Sequence, residues 1–98
     1  MKPEARYIWI EIWMRDHGGC CYAGQYALAI AYVQATKAKF DIPSVNPMRC
    51  KCPQLRKDLR AMHKAGTITR YDHGLKNLSH KGMAKWLRVY RVIGPHFG

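Results

Sequence analysis

The spacing of apolar residues in the middle of the chain predicts a helix with one buried face. Pro53 suits a first helical turn, because its fixed φ is helical and the N–H that it lacks would have no partner there. Leu55, Leu59 and Met62 then recur at i, i+4 and i+7, which places them on one side of a helix. The opposite side is polar and mostly basic. We therefore predict an amphipathic helix over 53–65, with Leu59 buried at the middle of its apolar stripe.

The pattern changes from helical to β-rich after this helix. Gly66 stands where a helix end favours a left-handed residue, and strand-forming residues follow from Thr67 to Tyr71. Residues 86–92 are β-rich and predict a second strand over Trp86–Val92, with a polar, Gly-containing loop over 72–84 between the strands. A last helix with Ser79 as its N-cap is the alternative for this region. The β-rich composition favours the strand.

The first segment, residues 4–16, fits a helix or a strand by composition. Ile8 and Ile12 are spaced as on one helical face, whereas the β-branched and aromatic content favours a strand. A proline at the start and the Gly18-Gly19 pair after the segment suit the two ends of a helix. We therefore predict a helix.

Residues 24–38 show a clearer helical pattern, because alanine recurs through them. The larger apolar residues occupy two sides, one with Tyr26, Ile30 and Val33 and the other with Leu28 and Tyr32. Such a helix lies at the centre of the core or is shared with a second subunit. We expect the central position, and a homodimer stays open.

The basic charge is concentrated in the second half of the chain. The 98 residues carry a formal net charge of +11. Residues 1–49 hold six Lys/Arg against four Asp/Glu, a net charge of +2, whereas residues 50–98 hold eleven against two, a net charge of +9. This asymmetry indicates a polyanionic partner, of which nucleic acid fits best. A small basic protein with no such partner is the simpler alternative. The length and the hydrophobic content of 48% favour a single folded domain over 1–98.

The sequence offers little support for catalysis or metal binding. The six acidic residues form no paired-carboxylate motif, and G-x-S-x-G, H-E-x-x-H and a phosphate-binding Gly loop are absent. The four cysteines, Cys20, Cys21, Cys50 and Cys52, lack C-x-x-C spacing, so we expect reduced thiols, with a Cys/His cluster that includes His17 as the alternative. We expect a binding protein without a cofactor and not an enzyme.

Hydropathy favours a cytoplasmic location, in a bacterium or an infected cell, and no membrane partner. The apolar run over 7–14 is too short to span a bilayer and contains Glu11. It also lacks the cleavage-site chemistry of a signal peptide.

The pattern L-x-x-x-L-x-x-M-x-x-x-G-x-I-x-R, from Leu55 to Arg70, resembles the recognition helix and first wing strand of winged helix-turn-helix DNA-binding proteins of bacteria and phages. The resemblance implies an α+β fold of three main helices with a two-stranded β wing. It also implies a short helical turn ahead of the recognition helix, for which the segment after Pro43 is the candidate. The implied function is sequence-specific binding of double-stranded DNA by a small transcriptional regulator of phage or mobile-element origin.

In this interpretation the basic face of the helix enters the major groove, and the wing follows the DNA backbone. The expected DNA-binding residues are Gln54, Lys57, Arg60, Lys64, Arg70, Lys76, Lys81, Arg88 and Arg91. Gln54 and Arg60 are the candidates for base contacts, because Gln pairs bidentately with adenine and Arg with guanine. The lysines and the wing arginines are expected to hold phosphates, and a solvated surface charge is the alternative for each.

Two other functions fit the same pattern. The first is a protein-binding inhibitor or adaptor on a similar scaffold, with an aromatic interface in the first half of the chain. The second is RNA binding, because a basic face attracts any polyanion.

Overall fold

The computed structural model describes residues 1–40, 50–74 and 86–94, and within these ranges the chain is an α+β protein of three helices and a three-stranded antiparallel sheet. In chain order the elements are α1 (Pro3–Asp16), β1 (Cys20–Cys21), α2 (Tyr26–Thr36), α3 (Pro53–Lys64), β2 (Ile68–Gly74) and β3 (Trp86–Val92). The predicted turn after Pro43, the Ser79 alternative and most of the wing loop, including Lys76 and Lys81, lie outside the described residues.

The predicted ends of α1 and α3 are confirmed. The glycines that follow α1, Gly18 and Gly19, have φ values of 87° and 80°, and the Gly19 N–H donates to the Met14 carbonyl at 2.7 Å. After α3, Gly66 has a φ of 82°, and the Thr67 N–H donates to the Met62 carbonyl at 3.0 Å. This second arrangement is a Schellman motif, which requires a left-handed residue that glycine adopts at low cost.

The second helix is shorter than the predicted span of 24–38, and it is buried mainly through one side. It ends at Lys37, which takes a left-handed φ of 62° and donates its N–H to the Val33 carbonyl. Leu28 and Tyr32 are fully buried, whereas Tyr26 is half exposed. The core therefore takes the side that Leu28 and Tyr32 share.

The sheet has three strands, so the prediction of a two-stranded wing is wrong in the number of strands. The predicted hairpin of β2 and β3 is present, with Ile68 opposite Val92. Residues 72–74, which were predicted as the start of the loop, belong to β2, because they continue its pairing with β3. The third strand forms because the two left-handed glycines after α1 turn the chain back along β3, where Cys20 pairs with Arg91 and Cys21 with Tyr90. The sheet order is therefore β1-β3-β2, with β3 in the middle.

The core lies between the helices and one face of the sheet. Its largest fully buried side chains come from all three helices, from β2 and from the segment before α3, and they are Ile10, Met14, Leu28, Tyr32, Cys50, Leu55, Leu59, Met62 and Ile68. The predicted burial of the α3 stripe is confirmed. Because that stripe is buried, the opposite side of α3 is directed to solvent. In the part of the chain that the structure describes, no helix has the length and apolar character needed to cross a membrane.

Candidate nucleic-acid interface

The exposed charged residues of α3 are all basic. Four of them lie in solvent, and they are Arg56, Lys57, Arg60 and Lys64. The sequence analysis placed the last three on the exposed basic face, whereas it missed Arg56 because this residue lies on the flank of the apolar stripe. At 100° per residue, Arg56 is about a quarter turn from the centre of that stripe, which leaves its long side chain in water.

The one acidic residue of α3 is directed into the core. Asp58 is 2% exposed. Its carboxylate accepts hydrogen bonds from Arg6 Nε at 2.8 Å and Arg6 Nη2 at 3.1 Å, and from the Tyr32 hydroxyl at 2.5 Å. The arginine belongs to α1 and the tyrosine to α2, so this network joins all three helices. It also neutralises the acid of α3 internally, which leaves the outer face of the helix without a negative charge.

The electrostatics of this network favour the charged form of Arg6 and the neutral form of Tyr32. The hydrogen bonds to Asp58 raise the pKa of the Arg6 guanidinium above its ordinary value. Burial raises the pKa of the Tyr32 hydroxyl, and the hydrogen bond that it donates to Asp58 raises this pKa further. The Tyr32 ring is also fixed by an edge contact with Trp9, whose ring centroid is 5.9 Å away. Around neutral pH the network therefore keeps a charged arginine and a neutral tyrosine.

Gln54, predicted to contact bases, is attached to this network. Its side chain is half-buried, and its Nε2 donates to the Tyr32 hydroxyl oxygen at 3.0 Å. An amide nitrogen carries two N–H groups, and this bond uses one of them. Tyr32 therefore fixes the orientation of an amide at the start of α3, beside the basic face. Sequence reasoning had no signal for this contact, because Gln54 and Tyr32 are far apart in the chain.

The register of the sheet separates the three arginines of β2 and β3. Residues directly opposite each other share a face, so Arg70 lies on the face of its partner, the buried Tyr90. Arg88 is two residues from Tyr90 and shares that face. Arg91 pairs with Thr69 and lies on the opposite face. All three are exposed, but only Arg70 and Arg88 are on the side of the sheet against which the helices pack.

The cysteines and His17 are not brought together as a metal site. Within the described residues no group of three His, Cys, Asp or Glu side chains is placed to hold a metal ion. The His17 ring stacks on Trp13, with centroids 4.0 Å apart. Burial raises the pKa of the Cys21 thiol to about 12 and also raises the pKa values of Cys50 and Cys52. These thiols stay protonated near neutral pH, which makes them poor ligands and poor nucleophiles.

Comparison with protein-family models, with curated proteins and with solved structures gave no match.

Proposed function

We propose that the protein binds double-stranded DNA as a winged helix-turn-helix domain, with α3 in the major groove, and acts as a small sequence-specific transcriptional regulator. The observation that carries the proposal is the outer face of α3, where every exposed charge is basic because Asp58 is buried against Arg6. The β2–β3 hairpin directly follows α3, and this order supports a winged helix-turn-helix domain, in which the wing follows the recognition helix.

The dimensions of α3 suit this role. Its 12 residues give a length of about 18 Å at 1.5 Å per residue, and the major groove, about 12 Å wide, accepts an α-helix. Lys57 and Lys64 on the outer face are suited to phosphates, and Arg60 between them to a guanine edge. Gln54 adds an amide whose position is set by Tyr32 before DNA arrives, so less side-chain entropy is lost on binding.

Only one face of the sheet contributes to the proposed DNA-binding surface. Arg70 and Arg88 lie on the face that packs against the helices, so they extend the basic surface of α3 toward the DNA backbone. Arg91 lies on the other face, which is directed away from this surface. We therefore propose Arg70 and Arg88 as backbone contacts and use Arg91 as a control of the same residue type on the same sheet.

The test is fluorescence anisotropy with labelled duplex DNA, duplex RNA and single strands at two salt concentrations. Affinity for duplex DNA should fall on the order of 10³-fold between 50 and 200 mM salt if about six phosphates are contacted. Absence of duplex DNA binding at low salt contradicts the proposal, and tighter binding of duplex RNA assigns the basic face to RNA instead.

Substitutions then assign the interface. Arg60→Ala should cost ~1–3 kcal/mol on a selected site and relax its sequence preference. Arg70→Ala should weaken all duplexes alike and lower the salt slope by about one, whereas Arg91→Ala should leave both unchanged. Equal losses from Arg70→Ala and Arg91→Ala would mean that binding depends on net charge alone and not on this face.

A further inference from the structure

The outer side of α1 carries an apolar stripe that the core does not cover. Ile8 and Ile12 lie one turn apart on this side and are 60% and 56% exposed. Ile93 beyond β3 is also exposed, and its carbonyl accepts a hydrogen bond from Arg15 Nη2 at 2.9 Å. Arg15 thus holds the residue 93 backbone beside the C-terminal end of the stripe. Exposed apolar side chains that are grouped on one face of a helix mark interaction surfaces.

One edge of the stripe carries an acidic residue in the first turn of α1 and a basic residue in the last turn. Glu4 precedes Arg15 by eleven residues, which at 100° per residue is three turns plus about 20°, so both lie on the same edge. Glu4 is exposed, and the Arg15 guanidinium is held in place by Glu11 at 2.8 Å. Charges of opposite sign at the two ends of one edge are self-complementary when two such helices run antiparallel.

We propose that the protein forms a two-fold symmetric dimer in which the α1 stripe packs antiparallel against the same stripe of a second copy. A two-fold axis level with residue 10 places Ile8 opposite Ile12 of the second copy, and the reverse contact follows by symmetry. The same axis keeps equivalent edges together, so Glu4 lies about 1.5 Å along the helix axis from the level of Arg15 of the second copy. Each interface then contains two such ion pairs beside four isoleucines.

The position of the stripe allows a chain of net charge +11 to associate with itself. Arg6, which contacts Asp58 of α3, lies on the opposite side of α1, about 140° around the helix from the stripe. The basic face of α3 is therefore directed away from the second copy, and the stripe itself is flanked by Glu4, Glu11 and Asp16. This inference does not depend on DNA binding.

The first test is sedimentation equilibrium without nucleic acid, from micromolar to sub-millimolar protein. We expect a mass approaching twice the 11.3 kDa chain. Ile8→Lys should raise the dimer dissociation constant by about a hundredfold or more, because two buried isoleucines are lost for each dimer. Tyr26→Lys, a matched change at an exposed apolar residue of α2, should leave it unchanged. A monomeric wild type over the whole range, or a dimer that survives Ile8→Lys, overturns the proposal.

The second test examines the antiparallel register. Glu4→Arg and Arg15→Glu should each raise the dissociation constant about three- to tenfold by placing like charges together. The double variant E4R/R15E restores both intermolecular pairs, so its dissociation constant should return toward that of the wild type, although the contacts of Arg15 with Glu11 and with the Ile93 carbonyl are lost. Thermal melts of each variant exclude unfolding as the cause. A double variant weaker than both single variants refutes this register.

Discussion

Removal of the buried carboxylate of Asp58 is the most direct test of how the three helices are held together. Asp58→Ala deletes the acceptor of two hydrogen bonds from Arg6 and of one from Tyr32. The substitution leaves a guanidinium without a counter-charge and a buried tyrosine hydroxyl without its acceptor. Both costs fall on the folded state, because the unfolded chain exposes these groups to water.

The magnitude follows from the burial of the partners. Removing one member of a buried ion pair costs 3–5 kcal/mol, and we expect about 3 kcal/mol here, because the Arg6 side chain is 17% exposed and can turn toward water. For a domain of this size that loss lowers the melting temperature by roughly 12–24 °C. Urea unfolding followed by tryptophan fluorescence, to which Trp9 and Trp13 in α1 contribute, measures the free energy of unfolding.

Two comparisons make this prediction specific. Asp16→Ala removes an exposed acid of α1 and should change the free energy of unfolding by less than ~0.5 kcal/mol. Arg6→Met combined with Asp58→Ala should cost less than the sum of the two single changes, because the unpaired charge is absent in the double variant. If Asp58→Ala is as mild as Asp16→Ala, the network does not hold the helices together and the account of the α3 face fails.

Three further predictions concern the core and the thiols. Leu59→Ala should destabilise the fold by ~2–5 kcal/mol and Arg60→Ala by less than ~1 kcal/mol in thermal melts, and equal effects would mean that the helical register is wrong. Folding raises the pKa of the Cys21 thiol from 9.0 to about 12, so between these pH values the unfolded state loses this proton while the folded state keeps it. The free energy of unfolding should therefore be unaffected by this thiol below pH 9 and should fall as the pH rises toward 12. Cys21→Ala should flatten that fall in urea titrations at each pH, and an unchanged slope would assign it to other groups. Cys20, the one thiol that is not buried, should react first with a disulfide reagent, and Cys20→Ser should remove that fast phase.

The parts of the fold that the sequence predicted correctly depend on local signals. The α3 stripe of Leu55, Leu59 and Met62 is set by 3.6-residue periodicity, and Gly66 marks the end of that helix because few other residues adopt its φ. The β-rich composition of Trp86–Val92 likewise predicted the strand that the structure contains. Each of these signals lies within the segment that it describes.

The features that sequence reasoning missed depend on partners far along the chain. Asp58 lies on the flank of an apolar stripe, and its burial requires an arginine 52 residues earlier. Cys20–Cys21 is too short to show any alternation, and it becomes a strand only because β3 lies beside it. The orientation of Gln54 requires the Tyr32 hydroxyl, and the register that separates Arg91 from Arg70 becomes known only when β2 and β3 are paired.

The central position of β3 has a consequence for the order in which the protein folds. Both β1 and β2 hydrogen-bond only to β3 within the described sheet, and β3 is the last of the six described elements to leave the ribosome. Pairing of Cys20 with Arg91 therefore requires closure of a loop that spans most of the chain. Closure of such a long loop is a slow step in folding. During synthesis α1 and α2 can begin to pack together, but the sheet stays unpaired until residues 86–92 emerge.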